Sequence, residues 1–126
     1  MNFEEKTALS TGAASGMGLL FAQNFAQLGG NVVLCDVNEQ VLEEKVAEIN
    51  AQGQGKAIGL VCDVRDYNQV CLARDTAVKT FGLIDVMANF AGGTARRMLN
   101  VGWEAEFPHV PDKFMTNQMD LVQFEF

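Results

Sequence analysis

The sequence predicts an α/β fold, a three-layer open parallel sheet with helices on both faces. Three observations predict it. Strand-like apolar runs and helical periodicities alternate along the chain, giving four strands separated by three helices. The run Asn-Val-Val-Leu-Cys over residues 31–35 lacks in–out alternation, as a parallel strand covered on both faces does. Gly12, Gly16 and Gly18 stand where the first strand hands over to the first helix.

Each element has its own signal. Thr7 to Thr11 reads as a short buried strand turning at Gly12. From Gly16 to Leu28, the residues Met17, Leu20, Phe21, Phe25 and Leu28 fall at helical spacing, and Gly29-Gly30 stops the helix. Asn31 to Cys35 is the second strand and ends at Asp36. Asn38 is a suitable N-cap for a helix through Ile49, with Val41, Leu42, Val46 and Ile49 on one face, and Gly53 and Gly55 break it. Glu43, Glu44 and Glu48 then form its wet face. Ala57 to Val61 is the third strand. Asp66 and Gln69 resemble a capping box opening a helix through Phe81, which Gly82 ends. Ile84 to Ala88 is the fourth strand. Beyond Gly93 the pattern loosens into a loop over 94–107 and a helix over 112–126. The expectation is a single domain over 1–126, incomplete after about the fourth strand and its following helix.

A length of 126 residues with 48% hydrophobic and 20% charged residues suits one globular core. The net charge of −7 excludes non-specific binding to nucleic acid or to an anionic membrane, which need basic surface. No stretch is apolar enough to cross a bilayer, and Asn2, Glu4 and Glu5 give the N-terminus no secretory pattern. Cys35, Cys62 and Cys71 are odd in number and lack metal-ligand spacing, so no metal site is expected. Reduced thiols in a cytoplasmic protein fit that usage.

The glycine loop carries the chemistry. At a strand-to-helix junction Gly12 allows the tight turn, Gly16 lets a pyrophosphate approach the backbone, and Gly18 lets the helix pack on the strand. The helix N-terminus offers free N–H groups to an anion. Asp36, ending the second strand, is placed to accept hydrogen bonds from adenosine ribose hydroxyls. A carboxylate there repels a 2′-phosphate, and no Arg or Lys lies nearby in sequence, so NAD is favoured over NADP.

Thr11-Gly-x-x-x-Gly-x-Gly18 resembles the TGxxxGxG motif of the short-chain dehydrogenase/reductase family. Asp63-Val64 is similar to that family's Asp-Val pair after the third strand. Asn89-Phe90-Ala91-Gly92 resembles its NNAG motif, with Phe90 in place of the second Asn. The match is clear over residues 1–93. It implies a Rossmann-like fold with NAD(H) held by Thr11, Gly12, Ala14, Ser15, Gly16, Met17, Gly18, Asp36 and Val37. It further implies that Asp63 and Val64 contact the adenine, that Asn89 steadies the sheet, and that Ala91 and Gly92 line the path to the nicotinamide ribose. The implied reaction is hydride transfer between NAD(H) and a small alcohol or ketone.

The family's catalytic Tyr-x-x-x-Lys has no counterpart. The one tyrosine, Tyr67, is followed four residues later by Cys71. In the stretch Met119-Asp120-Leu121-Val122, Asp120 or Val122 stands where the family places its Asn. No catalytic residue is therefore assigned, and the 126 residues alone are expected to be inactive. His109 and the Arg96-Arg97 pair read as loop residues, and Trp103 and Phe107 as packing or pocket wall. The alternatives are a non-catalytic NAD-binding module or degenerate fragment, and a purely structural domain without nucleotide affinity. An open edge on the fourth strand and the apolar Phe114, Phe124 and Phe126 lead to an expected homo-oligomer.

Overall fold

The computed structural model describes residues 2–92. The expected loop over 94–107 and helix over 112–126, with His109, Arg96, Arg97, Trp103 and Asp120, lie outside the described residues. The elements run β1 (Thr7–Thr11), α1 (Gly16–Gln27), β2 (Asn31–Asp36), α2 (Glu39–Gln52), β3 (Lys56–Val61), α3 (Tyr67–Phe81) and β4 (Val86–Asn89). The four strands form one sheet in the order β3-β2-β1-β4. All three pairings are parallel, Thr11 lying opposite both Cys35 of β2 and Asn89 of β4.

The central strands β1 and β2 are covered on both faces, which is why β2 reads as a continuous apolar run. Ala8, Val32, Leu34 and Ala57 face α1 and α2, where Ala22, Phe25, Ala26, Leu42 and Ile49 complete one core. Leu9, Val33 and Cys35 point the other way and pack with Cys62, Ala73 and Ala77 under α3. Successive residues of β1 and β2 thus alternate between two cores rather than between core and water.

Several boundaries differ from the sequence expectation. The apolar spacing of α1 assigns Met17 and Leu20 to the buried face, yet they are 69% and 57% exposed. The buried residues are Gly18, Ala22, Phe25 and Ala26. The helix rides so close to the sheet that mostly small side chains fit beneath it, and counting large apolar residues misses that stripe. α2 continues to Gln52, three residues past Ile49, until Gly53 adopts φ 73°. β4 starts at Val86, because Asp85 is spent on Thr7: its N–H donates to the Thr7 carbonyl at 2.8 Å and its carboxylate accepts the Thr7 N–H at 2.8 Å. Gln69 does not reach back to the Asp66 N–H as a capping box requires; Asp66 caps α3 alone, accepting from the N–H groups of Asn68 and Gln69.

The outer strand β3 carries its own guard. The Asn50 side chain accepts the Ala57 N–H at 2.8 Å and donates to the Ala57 carbonyl at 2.9 Å. One carboxamide thus satisfies both outward backbone groups of an edge residue that would otherwise be free to pair with another strand.

Candidate functional site

β1 lies between β2, its successor in the chain, and β4, so the strand order reverses at β1. In an open parallel sheet such a switch point leaves a crevice outside the carboxyl ends of the strands. The sequence-singled residues Thr11, Gly12, Asp36, Asp63 and Asn89 all sit at or just beyond those ends.

Three hydrogen-bond groups lock this end of the sheet. The Thr11 hydroxyl oxygen accepts the N–H groups of Phe90 at 3.1 Å and Ala91 at 3.2 Å, tying β1 to the turn after β4. The Ala13 N–H donates to the Cys35 carbonyl at 3.1 Å. The Asp36 carboxylate accepts the Ala14 N–H on Oδ2 and the Asn38 N–H on Oδ1, each at 3.0 Å. Asp36 therefore clamps the glycine loop to the turn through Val37, a residue that is itself exposed. Beneath the loop, the buried Ser10 hydroxyl donates to the Gly18 carbonyl at 3.1 Å, binding the first turn of α1 to β1.

The three glycines meet different surroundings. A Cβ on Gly18 would lie 2.4 Å from the Gly12 carbonyl oxygen, and one on Gly12, at φ 62°, 2.9 Å from the Ala91 nitrogen. Both are glycine because backbone occupies the space. Gly16, at φ 59°, has no protein atom within 4 Å of the added Cβ and faces open space. Ser15 is the N-cap of α1 in extended conformation, and its side chain makes no capping hydrogen bond. Met17 follows, exposed. The first turn of α1 and Gly16 thus present unencumbered backbone to whatever occupies the crevice.

Asp63 is fixed at three points. Its N–H donates to Gln69 Oε1 at 2.8 Å, its carbonyl accepts the Asp66 N–H at 2.9 Å, and its carboxylate is gripped by Arg65. The Arg65 backbone N–H and Nε both reach Oδ1 at 3.0 Å, and Nη2 reaches Oδ2 at 2.8 Å. That guanidinium holds the Asp63 carboxyl down to about 2 and is itself pushed up in return. Sequence reasoning singled out Asp63 and missed Arg65; the signal was an Asp-x-Arg spacing, which lets one residue close on the other across an Asx turn.

Thr11, Val64 and Asn89, at or beyond three strand ends, line one cavity of about 350 Å³ on the α3 face together with Leu9, Val70 and Met87. This lies within the range of small-molecule sites, roughly 300–1,000 Å³. Cys35 and Cys62 also line it; burial, then the charge of Cys62, then that of Asp36, pushes the Cys35 thiol up to about 12. Gly92 has φ 151° and belongs to a second unit, Gly92–Phe126. Phe90, where the family motif has Asn, stacks obliquely on Phe21 of α1 with ring centroids 5.9 Å apart. Tyr67 is 77% exposed, and the neighbouring Cys71 raises its pKa above the usual phenol value. Among the described residues no group of three or more metal-ligating side chains comes together, and no helix is long and apolar enough to cross a membrane.

A family model, short chain dehydrogenase, matches residues 6–122. An uncharacterized oxidoreductase of Mycobacterium bovis is 39% identical over 105 residues, 83% of this chain and 42% of that protein. A short-chain dehydrogenase/reductase of Burkholderia phymatum, solved in complex with NAD, superposes with a TM-score of 0.66 at 38% identity, over 69% of this chain and 31% of that one. A 7α-hydroxysteroid dehydrogenase complexed with NADH and 7-oxo glycochenodeoxycholic acid superposes with a TM-score of 0.70 at 34% identity, over 73% of this chain and 36% of that one. The chain thus spans less than half the length of these relatives. With the sheet order, the glycine loop and the family match in agreement, the chain belongs to the short-chain dehydrogenase family.

Proposed function

We propose that the chain binds NAD(H) over the Gly12–Gly18 loop and serves hydride transfer between that cofactor and an alcohol or ketone. The observation that carries the reading is the contrast among the glycines: protein atoms account for the absence of a side chain at Gly12 and Gly18, whereas Gly16 faces open space. That is the surface a pyrophosphate oxygen needs in order to reach backbone N–H groups. Ser15, Met17 and the first turn of α1 complete this cradle.

When bound, the nicotinamide supplies the acceptor or donor for hydride. The chain's own residues bind and orient. Asp36 keeps acceptor capacity on both oxygens after taking the Ala14 and Asn38 N–H groups, enough for ribose hydroxyls. Asp63 and Val64 meet the adenine, Asn89 and Thr11 hold the floor of the crevice, and Ala91 and Gly92 lead toward the nicotinamide ribose. NAD(H) is preferred to NADP(H): two unit charges about 4 Å apart repel by roughly 1–4 kcal/mol between bulk-water and surface dielectrics, so a 2′-phosphate beside Asp36 weakens binding about fivefold or more. The relatives solved with NAD and with NADH support the same choice.

The 126 residues hold one tyrosine and no Tyr-x-x-x-Lys. They therefore supply the cofactor cradle and not the proton-transfer group. The three free cysteines fit a reducing cytoplasm, and β4, outermost among the described strands with exposed Val86 and Met87, favours self-association. Calorimetric titration tests the central claim. NADH binds the folded chain, and NADPH binds at least about fivefold more weakly. Folded chain that takes up neither nucleotide refutes it.

A further inference from the structure

We propose that Arg65 is a positioning residue for the adenine end of the cofactor, holding the Asp63 carboxylate so that it accepts one exocyclic amino group. This rests on the reading of the crevice as an NAD(H) site, and it assigns to a residue outside all three glycine-loop and strand-end motifs a part in nucleotide selection.

The argument is a count of acceptor positions. An ionised carboxylate offers about four lone-pair sites, two on each oxygen. On Asp63, Oδ1 already takes two donors, the Arg65 N–H and Nε, and Oδ2 takes one, from Nη2. One acceptor site is left, on Oδ2. The side chain keeps 29% of its surface accessible, so that site is open to a ligand. Its direction is fixed, because a bidentate guanidinium contact sets the plane of the carboxylate and the backbone of Asp63 is held on both sides by Gln69 and Asp66. Gln69 is anchored in turn, its Nε2 donating to Asp66 Oδ2 at 3.1 Å. A single fixed acceptor suits one N–H donor such as the 6-amino group of adenine and opposes a carbonyl at the same position. Without Arg65 the carboxylate must be immobilised by the ligand, at roughly 0.5–1.5 kcal/mol for one side chain, a loss of about two- to tenfold.

The test compares NADH with nicotinamide hypoxanthine dinucleotide, in which a carbonyl oxygen on C6 replaces the 6-amino group, by calorimetry on the 126-residue chain, with unfolding curves on every variant. The native chain is expected to prefer NADH by tenfold or more. Arg65→Gln lowers that preference by about two- to tenfold, chiefly through weaker NADH binding, and Arg65→Lys, a single-point donor, falls between. Arg65 is exposed, so the variants should keep the native melt; should Gln perturb folding, Lys carries the comparison. An unchanged ratio in a folded variant overturns the proposal, as does an equal weakening of both nucleotides, which marks a purely structural role. A native chain that binds both equally overturns it as well. A native chain that binds neither overturns the NAD(H) reading itself, a different and recognisable failure.

Discussion

Replacing Gly18 by alanine separates two physical effects of opposite sign. Gly18 lies in the first turn of α1, where alanine is the better helix former by about 1 kcal/mol. Against this, the new methyl would sit 2.4 Å from the Gly12 carbonyl oxygen, 2.8 Å from the Gly12 carbonyl carbon and 2.9 Å from the Thr11 oxygen. The first contact is roughly 1 Å inside ordinary van der Waals distance. All three obstacles are backbone, and that backbone is pinned by the Thr11 and Ser10 hydroxyl bonds, so no side chain can swing aside. Overpacking of this kind costs about 1–3 kcal/mol or more, so the overlap wins. The expected outcome of Gly18→Ala is a net loss near 2 kcal/mol, a fall in Tm of roughly 10 °C, with NADH affinity lost in parallel as α1 lifts from the sheet. Gly16→Ala is the partner experiment. Nothing obstructs its methyl, and the cost is confined to a left-handed backbone, about 1–2 kcal/mol. Its NADH affinity should fall by more than tenfold, out of proportion to its stability. Urea unfolding and calorimetric titration on the same preparations give both quantities. A Gly18→Ala chain as stable as the native one would refute the close-contact argument. A folded Gly16→Ala chain with native affinity would refute the placing of the pyrophosphate.

Four further outcomes are expected. Thr11→Val keeps the shape and removes the acceptor of two N–H groups; stability measured by urea unfolding should drop by about 1–3 kcal/mol. Asp36→Asn leaves one oxygen where two are used, so either the Ala14 or the Asn38 N–H loses its partner, and titration should show weaker NADH binding with the NADPH penalty largely relieved. Asn50→Leu uncovers both outward groups of Ala57, and sedimentation should then show more association than in the native chain. The Cys35 thiol, at about 12 and buried, should resist iodoacetamide in the folded chain at pH 8, mass spectrometry finding the label on half-buried Cys71 first.

The layer order and the element sequence were legible because they rest on periodicity and glycine punctuation, signals that survive without coordinates. β2 illustrates this: Val32, Val33, Leu34 and Cys35 read as covered on both faces, and they divide between two cores. α1 shows where the same signal fails. Met17 and Leu20 have helical spacing and large apolar side chains, but the sheet accepts Gly18, Ala22 and Ala26 instead, since close approach depends on small volume rather than on hydrophobicity. β4 began two residues late because Asp85 closes on Thr7, a contact spanning 78 residues that no local pattern encodes.

The site divides along the same line. Motif residues such as Thr11, Asp36 and Asn89 could be named from spacing, yet what joins them is a set of hydrogen bonds between segments far apart in sequence. Thr11 illustrates the difference: in the motif it is the residue before the first glycine, and in the fold its single oxygen receives two N–H groups from a turn some 80 residues away. Asp36 likewise restrains Ala14 without any ligand, so a change at this carboxylate reaches the glycine loop as well. A crevice assembled this way is preorganised by its own backbone. Ligand binding then need not pay for ordering the loop, and a substitution at Thr11 or Asp36 acts on the cradle as a whole rather than on one contact within it.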